Sequence, residues 1–244
     1  MLLLGVAKPI AVLATKSAGL FRRYLGGEGW TPLANPTATK QGSSPLVRAL
    51  AATPGLSPIV YAAVAGEGLW KSVDAGQAWS RCEGLPTRIN AIRLVDENNV
   101  LLAGDDGVWK SEDQGKAWTR VGAPEKIAYL TAIEFQPDDP KHLFAGGSGT
   151  AASDEKGPAP FQAAAHGLFE SKDAGKTWTH VFNKGFPEEL EHDSIVDIRF
   201  NPSETDSALV ALASGEIWRT NNSGDWWEPL ARQIRGARSL CAVG

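Results

Sequence analysis

A twelve-residue stretch recurs along this chain and limits what the chain can fold into. It reads GLWKSVDAGQAW at 68–79, GVWKSEDQGKAW at 107–118 and GLFESKDAGKTW at 167–178, and looser copies occupy 19–30 and 216–227. The gaps between the final tryptophans are 49, 39, 60 and 49 residues, counted along Trp30, Trp79, Trp118, Trp178 and Trp227. One four-stranded propeller blade repeats every ~40–50 residues, so the spacing favours a propeller.

The residues between the copies are short apolar runs separated by Gly, Asp and Asn, which predicts four-stranded meanders. No segment keeps a helical apolar period. We therefore predict an all-β fold, a single β-propeller domain of four-stranded antiparallel blades, five in number with six possible. A β-sandwich with chance similarity among its hairpins is the alternative. The predicted blades are 1–34, 46–84, 89–123, 128–183 and 194–231, with 232–244 as a closing strand that returns to the first blade or, alternatively, begins a sixth.

Each position of the repeat has a chemical reason. Asp or Asn accepts hydrogen bonds from backbone N–H groups, Gly supplies a positive φ, and Trp covers the outer strand. We interpret these residues as structural, with no metal, because each turn offers one carboxylate and Ca²⁺ takes about 6–8 oxygens. We expect the tryptophans to be mostly core, with Trp226 facing solvent. The positions are Ser72, Asp74, Gly76, Trp79, Ser111, Asp113, Gly115, Trp118, Ser171, Asp173, Gly175, Trp178, Thr220, Asn222, Gly224, Trp227 and, in the degenerate first copy, Gly27 and Trp30.

The pattern S-x-D-x-G-x-x-W resembles the Asp-box of the BNR or sialidase-like β-propellers. The resemblance runs over nearly the whole chain and is nearest to the non-enzymatic, repeat-only members, such as the photosystem II assembly and stability factors and the sortilin-like propellers. In that superfamily the box lies between the two outer strands of a blade, away from the central mouth. The resemblance therefore implies a fold and a scaffold or binding role, and it does not name a ligand.

Binding candidates come from the predicted inner strands and from the links between blades. Arg93, Glu134 and Arg199 align in one column with Ala51, and they either line a central channel and contact a ligand or pair with one another as a structural ring. The links between blades add further candidates, namely Arg88, His192 and Asp193. The segment 146–167 is a long insertion rich in Gly, Ala and Ser, and we expect it to be a mobile loop beside the mouth.

The composition of the chain restricts the classes of partner that we expect it to bind. A net charge of −4 does not favour nucleic acid, and no apolar run reaches the ~18 residues of a membrane span. No motif calls for a cofactor. The apolar start carries no basic n-region and reads as a strand, which favours the cytoplasm without assigning the compartment. We expect a monomer that binds a protein, a small molecule or a glycan.

The sequence does not decide whether the protein is an enzyme. The Arg-Ile-Pro motif of sialidases is absent, and the tyrosines Tyr24, Tyr61 and Tyr129 do not sit in a matching context. A glycosidase needs two carboxylates ~5–10 Å apart, which Glu134 with Asp197 or Asp193 could supply. We therefore favour a non-catalytic binding or scaffold propeller, with a glycan-binding or glycoside hydrolase-like propeller as the alternative.

Overall fold

The computed structural model of the protein describes residues 10–15, 19–24, 26–36, 46–54, 58–125, 127, 129–148, 167–181, 184–187 and 193–231. Every regular element among these residues is a β-strand. Within the same residues there is no helix whose length and hydropathy would let it cross a bilayer. Most of the predicted insertion, and all of His192 and the predicted closing strand, lie outside the described residues.

The strands form five sheets. Within each sheet, strands that follow one another in the sequence lie side by side and are hydrogen-bonded. The first sheet has three strands in the described part of the chain, β1 (Ile10–Ala14), β2 (Leu20–Tyr24) and β3 (Thr31–Pro32). The second has β4 (Val47–Ala52), β5 (Val60–Val64), β6 (Gly68–Ser72) and β7 (Ser80–Arg81). The third has β8 (Ile89–Leu94), β9 (Val100–Gly104), β10 (Gly107–Ser111) and β11 (Thr119–Gly122).

The last two sheets complete the series. The fourth has β12 (Tyr129–Gln136), β13 (Asp139–Ser148), β14 (Gly167–Ser171) and β15 (Thr179–His180). The fifth has β16 (Ile195–Phe200), β17 (Ala208–Leu212), β18 (Ile217–Thr220) and β19 (Glu228–Ala231). The predicted all-β fold of four-stranded antiparallel meanders is confirmed, and five such sheets are consistent with a five-bladed propeller.

The chain divides into two compact units. One comprises Met1–Val100 with Ser111–Trp118, and the other comprises Leu101–Lys110 with Thr119–Gly244. In the second and third sheets the second strand is the most deeply buried, because β5 and β9 are buried at every position. Because both of their faces are covered, these strands read as continuous apolar runs, VYAAV and VLLAG, and not as an alternating pattern.

The core of the second unit is built around aromatic side chains of the fourth and fifth sheets. Phe144 is fully buried and lies edge-on to Trp227, with 5.7 Å between ring centroids. Phe200 and Phe186 extend this cluster. The tryptophans are less uniformly buried than we expected: Trp227 is buried, most of the others are half-buried, and Trp30 is 43% exposed. Trp226 faces solvent at 56% exposure.

The repeated turn is held by hydrogen bonds between residues at most four positions apart. In the second sheet the Ser72 hydroxyl oxygen accepts the N–H of Gly76 at 2.7 Å and donates to the Asp74 carboxylate at 2.7 Å. The same carboxylate oxygen accepts the N–H groups of Gln77 and Ala78, each at 2.9 Å. These bonds satisfy backbone donors that a tight turn would otherwise leave without partners.

The same pattern is repeated in three further turns, around Ser111 with Asp113, Ser171 with Asp173 and Thr220 with Asn222. In all four turns the glycine and the residue before it have positive φ, and the preceding residues are Ala75, Gln114, Ala174 and Ser223. The first sheet departs from the pattern, because Gly26 and Gly29 carry the positive φ there and Gly27 does not.

Candidate functional site

The charged cluster of the second unit lies on the first strands of the fourth and fifth sheets. The Arg199 guanidinium lies 3.2 Å from the Glu134 carboxylate through Nη1 and 3.3 Å from the Asp197 carboxylate through Nε. The carboxylate side chains are 10% and 6% exposed, whereas the arginine side chain keeps 30% of its surface. One guanidinium thus joins two buried carboxylates and still reaches the surface. We call Glu134, Asp197 and Arg199 the Arg199 cluster.

Strand geometry explains how these residues meet. Asp197 and Arg199 are two residues apart on β16, so their side chains leave the same face of the strand. Glu134 belongs to β12, and the two strands are joined where the Thr131 hydroxyl donates to the Ile195 carbonyl oxygen. Both carboxylates also accept backbone N–H groups, Asp197 from Ile198 at 3.0 Å and Glu134 from Phe135 at 3.2 Å. These bonds fix the carboxylates before any ligand arrives.

The remaining candidates lie elsewhere. Arg93 and Arg88 belong to the other compact unit, where both are half-buried, and Arg93 donates to the Ile92 carbonyl oxygen at 3.0 Å. Asp193 shapes the segment before β16, because its carboxylate accepts the N–H groups of Ser194 at 2.8 Å and Ser214 at 3.0 Å. The structure therefore brings Glu134 and Arg199 together from the predicted column and adds Asp197, which we had considered only as a glycosidase carboxylate.

A second polar cluster, which sequence reasoning missed, lies on three strands of the fourth sheet and reaches the fifth sheet through Gln136. His142 is 6% exposed, and its ring nitrogens lie 2.7 Å from Gln136 Oε1 and 2.7 Å from Glu170 Oε1. Glu170 also contacts the Lys184 ammonium at 2.8 Å and the Lys172 ammonium at 3.3 Å. We call His142, Gln136 and Glu170 the His142 cluster.

The electrostatics of Glu170 follow from these neighbours. Burial alone would raise the pKa of its carboxyl group, but the hydrogen bonds from His142 and Lys184 and the positive charges of Lys184 and Lys172 outweigh burial and lower the pKa to about 2. Glu170 is therefore ionised throughout the neutral range. No pattern could have revealed the cluster, because Gln136, His142 and Glu170 lie on three different strands.

Comparison with known proteins shows a likeness of fold. No family model and no curated protein matches this sequence. An ancestral GH74 enzyme matches with a TM-score of 0.64 at 23% identity, over 84% of this chain and 26% of that one. A GH74 enzyme from Niastella koreensis matches with a TM-score of 0.62 at 18% identity, over 88% and 34% of the two chains.

A third match is the extracellular domain of a hybrid two-component system protein from B. thetaiotaomicron, with a TM-score of 0.63 at 11% identity. It covers 97% of this chain and 28% of that one. The present chain thus spans between 26% and 34% of the length of these three structures. At such identities the likeness extends to the fold alone, and what this chain shares with them is the architecture of a β-propeller.

Proposed function

We propose that this chain is a non-catalytic binding protein and that its ligand, a protein segment, a small molecule or a glycan, contacts the Arg199 cluster. The observation that carries the proposal is a partly exposed arginine held between two buried carboxylates. Fixing a long side chain on binding costs ~0.5–1.5 kcal/mol, and an arginine that is already held avoids part of that cost. Its planar guanidinium is also suited to directional hydrogen bonding.

Ligand screening with a matched variant tests this proposal. The protein is screened against a glycan array and a peptide library, and each hit is measured again with Arg199→Ala and with Arg219→Ala. Arg219 is the control because it is also an arginine paired with a carboxylate, Glu228, but on the exposed outer hairpin of the fifth sheet. We expect Arg199→Ala to weaken binding about tenfold or more, which is ~1.4 kcal/mol, and Arg219→Ala to leave it unchanged. Equal affinities for all three proteins would reject the site.

Arg93→Ala tests the other arginine of the predicted column in the same screen. As a separate candidate within the first unit, we propose that Arg93 on β8 contacts a ligand, as the alignment of the predicted inner strands suggested. A loss of affinity with Arg93→Ala and no loss with Arg199→Ala would move the site to the first unit.

A glycoside hydrolase is the second candidate function, because the carboxylates of Glu134 and Asp197 both contact the Arg199 guanidinium. Paired carboxylates are what glycosidases use, and the GH74 enzymes with a similar fold are named as enzymes. A panel of aryl glycosides decides between the candidates. Turnover that disappears in both Glu134→Gln and Asp197→Asn would establish the enzyme, and binding without turnover supports the binding protein.

A further inference from the structure

We propose that Trp226 forms a carbohydrate site, in which an uncharged pyranose ring of a glycan stacks on the exposed surface of the indole. We call this indole the Trp226 platform. It belongs to the last repeated turn, which joins β18 and β19 at the outer edge of the fifth sheet. Arg199 lies on β16 at the other edge of that sheet, so the inference does not rest on the proposed function.

The repeated turn does not need an indole at this position. The corresponding residues of the other three turns are Ala78, Ala117 and Thr177. In all four turns the backbone N–H at this position donates at 2.9 Å to the side chain of the turn's Asp or Asn. Since the turn uses only that N–H, a small side chain is enough to close it. Trp226 nevertheless has the largest exposed fraction of the aromatic side chains in the described residues.

A glycine makes room for the indole. A Cβ added to Gly185 would lie 2.9 Å from Trp226 Cε2 and 3.1 Å from Cζ2, and the φ of Gly185 is +80°. A side chain at this position would therefore collide with the indole and would also strain the backbone. The Trp227 N–H donates to the Lys184 carbonyl oxygen at 2.7 Å, and Phe186 packs against the Trp227 ring. The glycine is thus held against the last turn, and the platform is in position before any ligand arrives.

One charged pair lies beside the platform. The Lys184 ammonium lies 4.0 Å from the carboxylate of Asp225, the residue that precedes the indole in the chain. The same ammonium contacts Glu170 at 2.8 Å, and Lys172 gives Glu170 a second cation. The Lys184 charge is therefore balanced, while the exposed Asp225 carboxylate can accept hydrogen bonds from hydroxyl groups.

A second charged pair follows the platform on the outer hairpin. Glu228 comes two residues after Trp226 and accepts a hydrogen bond from Arg219 Nε at 3.1 Å. Both of these side chains are exposed. Because each cation has an anion beside it, the surface offers hydrogen-bonding groups without strongly attracting an ion of either sign. An uncharged ligand with many hydroxyl groups suits such a surface.

A pyranose ring fits the platform in shape and in charge distribution. The face of an indole is flat and carries partial negative charge. The C–H groups on one face of a pyranose carry partial positive charge, and the hydroxyl groups project from the edge of the ring towards neighbouring polar side chains. Within the described part of this hairpin, the large apolar side chains that are exposed are Trp226 and Leu230. This apolar area suits a sugar ring, whereas a stable protein interface buries about 800 Å² of each partner.

Affinity electrophoresis of the whole chain tests the site. The protein is run in native gels that contain a mixed-linkage β-glucan, a galactomannan, an arabinoxylan or glycogen, all of them neutral. We expect at least one of these polysaccharides to retard the protein. Trp226→Ala should weaken that binding about tenfold or more, and Trp226→Phe should weaken it less, because a smaller aromatic face remains.

Trp30→Ala is the matched control, because Trp30 is another exposed tryptophan but belongs to the degenerate turn of the first sheet. It should leave the retardation unchanged. If none of the four polysaccharides retards the protein, or if Trp226→Ala is retarded as strongly as the parent, the proposal is wrong. A peptide that binds through Trp226 when no polysaccharide does would reject a carbohydrate as the ligand.

Two further measurements separate this site from the Arg199 cluster. Because the ligand is uncharged, its affinity should be the same at about 50 mM and about 500 mM salt, and a marked loss at high salt would contradict the proposal. Arg199→Ala should leave the retardation unchanged. Loss of retardation in Arg199→Ala but not in Trp226→Ala would place the glycan at the Arg199 cluster and reject the platform. Loss in Trp226→Ala alone supports the platform, even if no ligand of the Arg199 cluster is found.

Discussion

The ring of Phe144 lies so close to Gly224 that a Cβ added to the glycine would overlap the ring. Phe144 belongs to the second strand of the fourth sheet, and Gly224 to the repeated turn of the fifth. Tyr61 and Gly115 meet in the same way within the first unit, where an added Cβ would lie 3.1 Å from Tyr61 Cε1. These two turns therefore close their own hairpins and also receive an aromatic side chain of the preceding sheet.

Gly224→Ala should be strongly destabilising for two separate reasons. Its φ is +86°, a conformation that costs an L-residue ~1–2 kcal/mol, and the overlap with Phe144 adds ~1–3 kcal/mol of overpacking. Gly66→Ala is the matched control, because Gly66 has a φ of +74° and nothing within 4 Å of an added Cβ. Denaturant unfolding of both variants measures the difference. Equal losses would mean that the Phe144 contact contributes nothing.

The repeated turn should be structural and not a binding site. Ser111 is buried, and Ser111→Ala removes the acceptor of the Gly115 N–H, for which we expect a loss of ~1–3 kcal/mol in unfolding free energy. Asp113→Ala should also lower Tm, because its carboxylate accepts the N–H groups of Lys116 and Ala117, while ligand affinity is unchanged. Val73→Ala, at a turn position that is 65% exposed, should stay within about 0.5 kcal/mol of the parent. Lost binding at an unchanged Tm in Asp113→Ala would instead identify the turn as a site.

The two adjacent tryptophans of the last repeat should behave oppositely. Trp227 is 1% exposed and packs against Phe144 and Phe186, so Trp227→Ala should cost ~3–5 kcal/mol. Trp226 is 56% exposed, and Trp226→Ala should change stability by no more than about 0.5 kcal/mol. Chemical denaturation checks both values. A large loss for Trp226→Ala would show that the side chain packs against something in solution.

Acid should destabilise the second unit through Glu170. Its pKa is lowered from 4.5 to about 2 in the fold, so the stability that it contributes is present above about pH 4.5 and is lost as the pH falls towards 2. The free energy of unfolding should fall between about pH 5 and about pH 3, and this fall should be smaller in Glu170→Gln than in the parent protein. Part of the decline should remain, because hydrogen bonds from Thr177 and Ser171 also lower the pKa of Asp173 to about 2. An equal decline in both proteins would show that Glu170 does not contribute.

The candidate site could be predicted only in part. Alignment of the first strands placed Glu134 and Arg199 in one column, and the structure shows them in contact although they are 65 residues apart. The contact with Asp197 and the depth of burial depend on how β12 and β16 pack, which no local pattern contains. The predicted roles of the insertion, of His192 and of the closing strand remain predictions.

The sequence by itself determined the fold class and the repeated turns. A turn such as that of Ser72 and Asp74 is closed by hydrogen bonds that span at most four residues, so its chemistry is complete within the repeat. Tertiary structure alone decided the His142 cluster, whose members come from three strands and reach Asp206 and Ser223 of the next sheet. A contact of that kind exists only after the sheets have packed, because burial makes each polar group depend on partners that are distant in the chain.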